Sequence, residues 1–272
     1  MPGKVLVVTS GKGGVGKTTT TANVATALAL RGNRVLVIDT DIGLRNLDVV
    51  MGLENRIVYD LVQVIEGVCQ PHQAMIRDRT IRDLYLIPAA QTRDKSAITA
   101  EQLQELCARL KLEFSYILID SPAGIEQGFK NALAPADRAI VVTTPEVSAI
   151  RDADRVIGLI EAAGLPTPDL ILNRFRQGMA RRGDMMTTED ILSLLSVQLL
   201  GLVPEDEEIV VSTNRGVPVV HNPKSRSGLA FRRIAERLEG QEVPFGELEV
   251  RDGFLTRLRK LVGLRGDVGA SA

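Results

Sequence analysis

The chain has 272 residues, 44 % of them apolar, with 33 basic and 34 acidic side chains and a formal net charge of −1. That length is enough to bury the core of one α/β domain, and so even a charge balance excludes bulk attraction to nucleic acid, leaving only local clusters for charge-driven binding. The two cysteines, Cys69 and Cys107, stand in unrelated contexts without a CxxC spacing, which points to buried thiols in a reducing compartment rather than a disulfide or a metal site.

The amino terminus passes from MPGK directly into VLVVTS, an apolar run too short for a secretory leader or a membrane span. A cytosolic protein is expected. Short β-branched runs then recur at Val5–Val8, Val35–Ile38, Leu84–Ile87, Tyr116–Ile119, Ala139–Val142, Leu170–Leu172 and Leu199–Val203. Between them, Thr18–Leu30, Glu101–Leu112, Val147–Ala163, Thr188–Leu195 and Arg232–Leu238 carry apolar residues at helical spacing. This alternation predicts a single three-layer α/β domain with a mostly parallel central sheet covered on both faces by helices. No repeat or low-complexity block interrupts it. The folded domain is expected to occupy residues 1–240, because Glu239, Glu242, Glu247 and Glu249 then mark an acidic stretch containing Gly and Pro, read as a linker over residues 241–251.

Between the first strand and the first helix lies GKGGVGKTT, Gly11 to Thr19. A Gly-rich turn in that position aims backbone N–H groups and the positive end of a helix dipole at one point, where phosphates can sit. Gly11, Lys12, Gly13, Gly14, Val15, Gly16, Lys17 and Thr18 fit the GxxxxGK[ST] pattern of a P-loop NTPase, and Thr19 continues it. In that frame Lys17 reaches the β and γ phosphates of ATP, and the Thr18 hydroxyl binds Mg²⁺. Lys12 is a second lysine inside the loop, either a solvated charge or a cation placed to stabilise the transition state. Carboxylates for the metal and the attacking water belong at the carboxyl ends of strands. Asp39 and Asp41 follow the second apolar run and Asp120 follows the fourth, in DSPAGIE. Asp120 has the place of a Walker B carboxylate, although a turn or capping role is open to each of the three.

Near the carboxyl terminus, Phe254, Leu255, Leu258, Leu261 and Val262 fall on one helical face, while Arg257, Arg259 and Lys260 occupy the rest. A basic amphipathic helix over residues 252–265, followed by a polar tail at 266–272, suits the interface of an anionic membrane. A terminal helix docked on its own domain is the alternative.

Lys12 is the residue that marks the deviant Walker A class, and GKGGVGKTT resembles that class along its whole length. DIGLRNLD (Asp41–Asp48), PAAQTRDK (Pro88–Lys95), DSPAGIE (Asp120–Glu126), PEVSAIRDADR (Pro145–Arg155), RRGDM (Arg181–Met185) and VPED (Val203–Asp206) resemble the MinD family of bacterial division-site ATPases, in order, from about residue 3 to 265. The resemblance implies an ATP hydrolase that forms a homodimer with ATP, binds the cytoplasmic face of the inner membrane through its tail, and leaves on hydrolysis. It implies catalytic roles for Lys12, Lys17 and Asp41, with Lys12 reaching the partner's phosphates and Asp41 orienting water. Asp39 and Asp120 would serve Mg²⁺, and Asn173 with Pro204 would contact adenine. Implied partners are a MinC-like division inhibitor and a MinE-like activator, meeting the chain near Asp152–Asp154, with no specific nucleic acid. A ParA-like DNA segregation ATPase is the competing reading and would require a basic surface for DNA.

Overall fold

A computed structural model of the chain describes residues 2–94 and 97–245. The amphipathic segment at 252–265, the polar tail and most of the acidic linker lie outside the described residues.

Eight strands form one sheet: β1 (Lys4–Thr9), β2 (Val35–Asp39), β3 (Ile76–Arg77), β4 (Leu84–Ile87), β5 (Tyr116–Asp120), β6 (Arg138–Thr143), β7 (Asp169–Phe175) and β8 (Gln198–Pro204). Their order is β3-β4-β2-β5-β1-β6-β7-β8. Every pairing is parallel except β3 with β4, where Ile76 faces Leu86 and Arg77 faces Tyr85. Each of the seven apolar runs is a strand. The edge strand β3 was not expected, because two residues are too few to display a period of two.

The helices are α1 (Lys17–Leu30), α2 (Leu47–Val50), α3 (Leu61–Ile65), α4 (Pro71–Ala74), α5 (Ala100–Leu110), α6 (Gln127–Leu133), α7 (Val147–Ala162), α8 (Gln177–Arg182), α9 (Thr188–Leu195), α10 (Glu207–Asn214) and α11 (Arg226–Leu238). Side chains alternate across the pleated sheet and divide the core in two. Val5, Val7, Leu36 and Ile38 point into the layer filled by α3, α5, α6, α7 and α9. Leu6, Val8, Val35 and Val37 point into the layer of α1, α2 and α11.

Helix α1 lies between the sheet and α11, and Ala22, Ala25, Ala27 and Thr26 along it are all buried. Small side chains permit that close approach on both sides. Helix α11 begins six residues before its expected start. Ser225 caps it by accepting from the Gly228 N–H at 3.1 Å, and Gly228, which weakens a helical pattern on paper, is required because a Cβ there would lie 2.8 Å from the carbonyls of Val219 and Asn222. Past α11, Arg237 donates to the carbonyls of Val243 and Pro244 and stacks on Phe245, 3.9 Å from the ring centre. Parallel strands place all their carboxyl ends on one edge of the sheet, and the centre of that edge, where β2, β5 and β1 stand side by side, carries the candidate site.

Candidate functional site at the β1–α1 turn

The chain leaves β1 through Ser10 and turns into α1 with Gly14 at φ 80° and Gly16 at φ 93°. Both angles lie in the left-handed region that side chains resist. Gly16 is the cap of α1, with no side chain bonded to the helix end, so the first N–H groups of a helix with no acidic residue in its first turn face outward. Gly11 is equally constrained by space, since a Cβ would come within 2.3 Å of the Asp152 carbonyl on α7. Lys12, Gly13 and Gly14 are exposed, whereas Val15 and Lys17 are buried.

Three donors converge on one carboxylate. Lys17 Nζ lies 2.8 Å from Asp120 Oδ1, the Thr21 hydroxyl donates to the same oxygen at 2.9 Å, and the Thr18 hydroxyl donates to Oδ2 at 2.8 Å. Lys17, Thr18 and Thr21 reach it together because i, i+1 and i+4 fall on one side of the first helical turn. Asp120 and Asp39 are themselves partners in the parallel register of β5 and β2. Burial, and then the Asp120 charge beside it, push the Asp39 carboxyl up from its ordinary value of 3.8 to about 8, against the Asp41 N–H and Lys17, which pull it down. Two buried acids side by side, under a hydroxyl and an ammonium, form a site that favours added positive charge.

Among the described residues no group of three or more His, Cys, Asp or Glu side chains could hold a metal ion by itself. Thr18, Asp120 and Asp39 are instead a small set of hard oxygen donors. That set fits Mg²⁺, which keeps several waters and takes its remaining ligands from substrate phosphates.

Asp41 follows β2, and its N–H donates to Asp39 Oδ1 at 2.9 Å. Leu47 N–H approaches the other Asp39 oxygen at 3.4 Å. The segment from 40 to 47 is thus pinned to the buried acid at both ends. Arg45, at φ 42°, lies 3.0 Å from the buried Asp48 within it. Burial pushes the Asp48 carboxyl up from its ordinary value, against the Arg45 charge beside it, which draws it down.

Asn173 lies two residues before the end of β7, and Pro204 ends β8 in register with Phe175. Pro204 lines a cleft of about 210 Å³ with Phe175, Arg176 and Glu205, and Asn173 donates its amide to the Val15 carbonyl at 2.8 Å. A larger cleft of about 670 Å³, walled by Glu146, Arg174 and Met186 among others, contains none of the residues from Gly11 to Thr19; the candidate phosphate position rests on loop geometry rather than on cavity size. Asp152 is partly exposed and Asp154 exposed on α7. The candidate membrane residues Phe254, Leu255, Arg257, Leu258, Arg259, Lys260, Leu261 and Val262 lie outside the described residues.

Two contributors were not read from the pattern. Thr21 carries the third hydrogen bond to Asp120, and Thr40 donates both its N–H and its hydroxyl to the Asp120 carbonyl, at 3.0 and 2.8 Å. Thr21 stands one helical turn after Lys17, a spacing that points to it; Thr40 depends on which strand lies beside β2.

Residues 6–219 match the CobQ/CobB/MinD/ParA nucleotide binding domain. The septum site-determining protein MinD of Bacillus subtilis (strain 168) is 53 % identical over 266 residues, covering 97 % of this chain and 99 % of that protein. MinD in the MinC:MinD cell division protein complex of Aquifex aeolicus is 46 % identical with a TM-score of 0.85, covering 90 % of this chain and 99 % of that one. MinD of Pyrococcus horikoshii OT3, solved with Mg-ADP, is 32 % identical with a TM-score of 0.79 over 87 % of this chain and 96 % of its own. With its phosphate loop, strand-end acids and full-length likeness, the chain belongs to the MinD family of septum site-determining P-loop ATPases.

Proposed function

We propose that the chain hydrolyses ATP with Mg²⁺ as a dimerising switch that carries a division inhibitor to the membrane and leaves it on hydrolysis. The observation that carries this reading is the convergence of Lys17, Thr18 and Thr21 on Asp120, with Asp39 in register beside it. Residues 11–19 bind the phosphates through their N–H groups and Lys17. Thr18, Asp39 and Asp120 hold Mg²⁺, which when bound neutralises charge on the phosphate oxygens. Asp41 orients water. Lys12, which is exposed, meets the phosphates of a second copy on this reading, so the triphosphate favours the dimer. Pro204 and Asn173 border the space for the base.

Relatives named for the MinC:MinD complex and for Mg-ADP support an inhibitor of the MinC type and a nucleotide with magnesium as ligands. A MinE-like activator acting at the α7 face around Asp152–Asp154 completes the cycle. Among the described residues no helix is long and apolar enough to cross a membrane, and the basic segment at 252–265 supplies a peripheral attachment to the inner membrane's cytoplasmic face. One such segment binds weakly, whereas two joined in a dimer gain avidity. The domain division at 240, 251 and 265 belongs to the same proposal.

The test is co-sedimentation with anionic liposomes in ATP or ADP, with and without residues 252–272. Pelleting that needs both ATP and the tail is the expected result. Pelleting independent of both removes the switch and leaves an ATPase; an ATP-dependent, salt-sensitive gel shift with DNA would revive the ParA-like reading.

A further inference from the structure

Asn173 sits two residues before the end of β7, 5 % exposed, 158 residues along the chain from the loop it touches. Its Nδ2 donates to the Val15 carbonyl at 2.8 Å, and its Oδ1 accepts from the Arg174 N–H at 2.9 Å. Arg174 holds that N–H in place from φ 55°, inside an irregularity of the β7–β8 register between Leu172 and Phe175. On the other side, Asn173 lies so close to Gly16 that a Cβ on Gly16 would be 2.3 Å from Nδ2.

The consequence follows from the peptide group itself. The structure holds no cis bond among the described residues, and across a trans peptide the C=O and N–H point in opposite directions. A Val15 carbonyl held toward Asn173 therefore turns the Gly16 N–H the other way, away from β7. That peptide unit is flanked by Val15 and by Gly16, which stands at a positive φ of 93°. Glycine makes rotation of a whole peptide unit sterically easy. A flipped Val15–Gly16 peptide would present a carbonyl lone pair where the loop offers a donor, and an anion there would meet repulsion.

We propose that Asn173 is a positioning residue for the phosphate loop, a strut that fixes the Val15–Gly16 peptide in its donor-inward orientation whether or not a base is present. The proposal rests on the phosphate site described above and deepens it: the side chain expected to read adenine also sets the grip on phosphate. With one amide proton on Val15 and one lone pair on Arg174 N–H, a second proton and lone pair remain for a base edge. Base and phosphate subsites thus share one side chain.

Inorganic tripolyphosphate, which has no base, separates the two roles. Calorimetric titration with Mg²⁺ compares wild type, Lys17→Ala and Asn173→Ala, with ATP measured alongside. Asn173→Ala is expected to weaken tripolyphosphate about tenfold, the size of one neutral hydrogen bond. If ATP weakens and tripolyphosphate does not, Asn173 touches only the base and the strut is overturned. If Lys17→Ala leaves tripolyphosphate binding intact, the anion is not in this loop, and the phosphate-site reading falls together with the strut.

Asn173→Asp keeps the shape and the acceptor toward Arg174 but places an oxygen against the Val15 carbonyl. It serves if the alanine variant fails to fold. Faster hydrogen exchange at the amides of residues 11–19, with the remaining chain unchanged, is expected of either variant. Unchanged exchange there overturns the strut.

Discussion

Lys17 Nζ and Asp120 Oδ1 stand 2.8 Å apart with 6 % and 1 % of their side chains exposed. The lysine expected on phosphate is thus bonded to the acid expected on the metal. A charge-assisted bond of this kind contributes about 1.5–3 kcal/mol, so if Lys17 takes phosphate as proposed, ATP binding would exchange one such partner for another rather than desolvate a free ammonium. Lys17→Ala should weaken ATP roughly ten- to a hundredfold, by fluorescent-nucleotide titration, and abolish ATP-dependent dimerisation by light scattering. The fold should survive, because the Thr18 and Thr21 hydroxyls still satisfy Asp120. Wild-type dimer yield in this variant would remove Lys17 from the phosphate site.

The buried Asp39 imposes a pH dependence whose sign is set by its raised pKa. The folded chain holds a proton at Asp39 up to about pH 8, whereas an unfolded Asp releases it near 3.8. Across that window the native state binds more protons, so this group's contribution to stability falls as pH rises. Asp39→Asn cannot ionise and removes the slope. In magnesium-free urea titrations the variant should gain on the wild type steadily between about pH 5 and pH 8. A difference that stays level over that interval would mean that Asp39 is ionised throughout.

Asp41→Ala should separate binding from turnover. The loop is anchored through the Asp41 N–H to Asp39 and through the Asp41 carbonyl, which accepts from Leu44 and Arg45 at 3.2 Å each. Alanine keeps all of these backbone bonds. ATP affinity should therefore hold while single-turnover hydrolysis drops about 10²–10⁴-fold, the range for loss of a group that handles a proton or positions water. An unchanged rate would assign the water to another residue.

Gly201→Val tests the packing of β8 on α11. A Cβ at 201 would lie 2.3 Å from Ile234 Cδ1 and Cγ1, and Ile234 is fully buried. Overpacking of this kind costs about 1–3 kcal/mol, and each kcal/mol lowers Tm by roughly 2–4 °C in a domain of this size. Calorimetry should report that fall with the hydrolysis rate at room temperature unchanged. An unaltered Tm would mean that Ile234 repacks freely.

These variants also mark how far the sequence could be read. The strands were legible because parallel strands buried on both faces are continuous apolar runs, and Asp39 and Asp120 were legible because they end two such runs. Their pairing was not, since it depends on β2 lying beside β5, a matter of sheet order that no local pattern encodes. Helices α6 and α10 escaped for a different reason. α6 is seven residues long with a glycine second, and α10 places Ile209, Val210 and Val211 consecutively, an arrangement without helical period. Asn173 could be assigned a role by resemblance, but its bond to Val15 joins residues 158 apart through a strand irregularity. Long-range contacts of single polar side chains have no periodic signature.

The proposed attachment segment at 252–265 can be tested from its sequence chemistry. As a helix, residues 252–265 would place Leu258 on one apolar face with Phe254, Leu255, Leu261 and Val262, and Arg257, Arg259 and Lys260 on the rest. Burial of one leucine contributes about 1.5–3 kcal/mol at full depth, and a carboxylate in its place adds a charge that an anionic surface repels. Leu258→Glu should release the ATP-bound protein from anionic vesicles and leave nucleotide affinity unchanged. If two segments act together in a dimer as proposed, the loss should exceed that of a single chain. Retained vesicle binding, or a fall in Tm without one in binding, would place this face against the protein's own core instead.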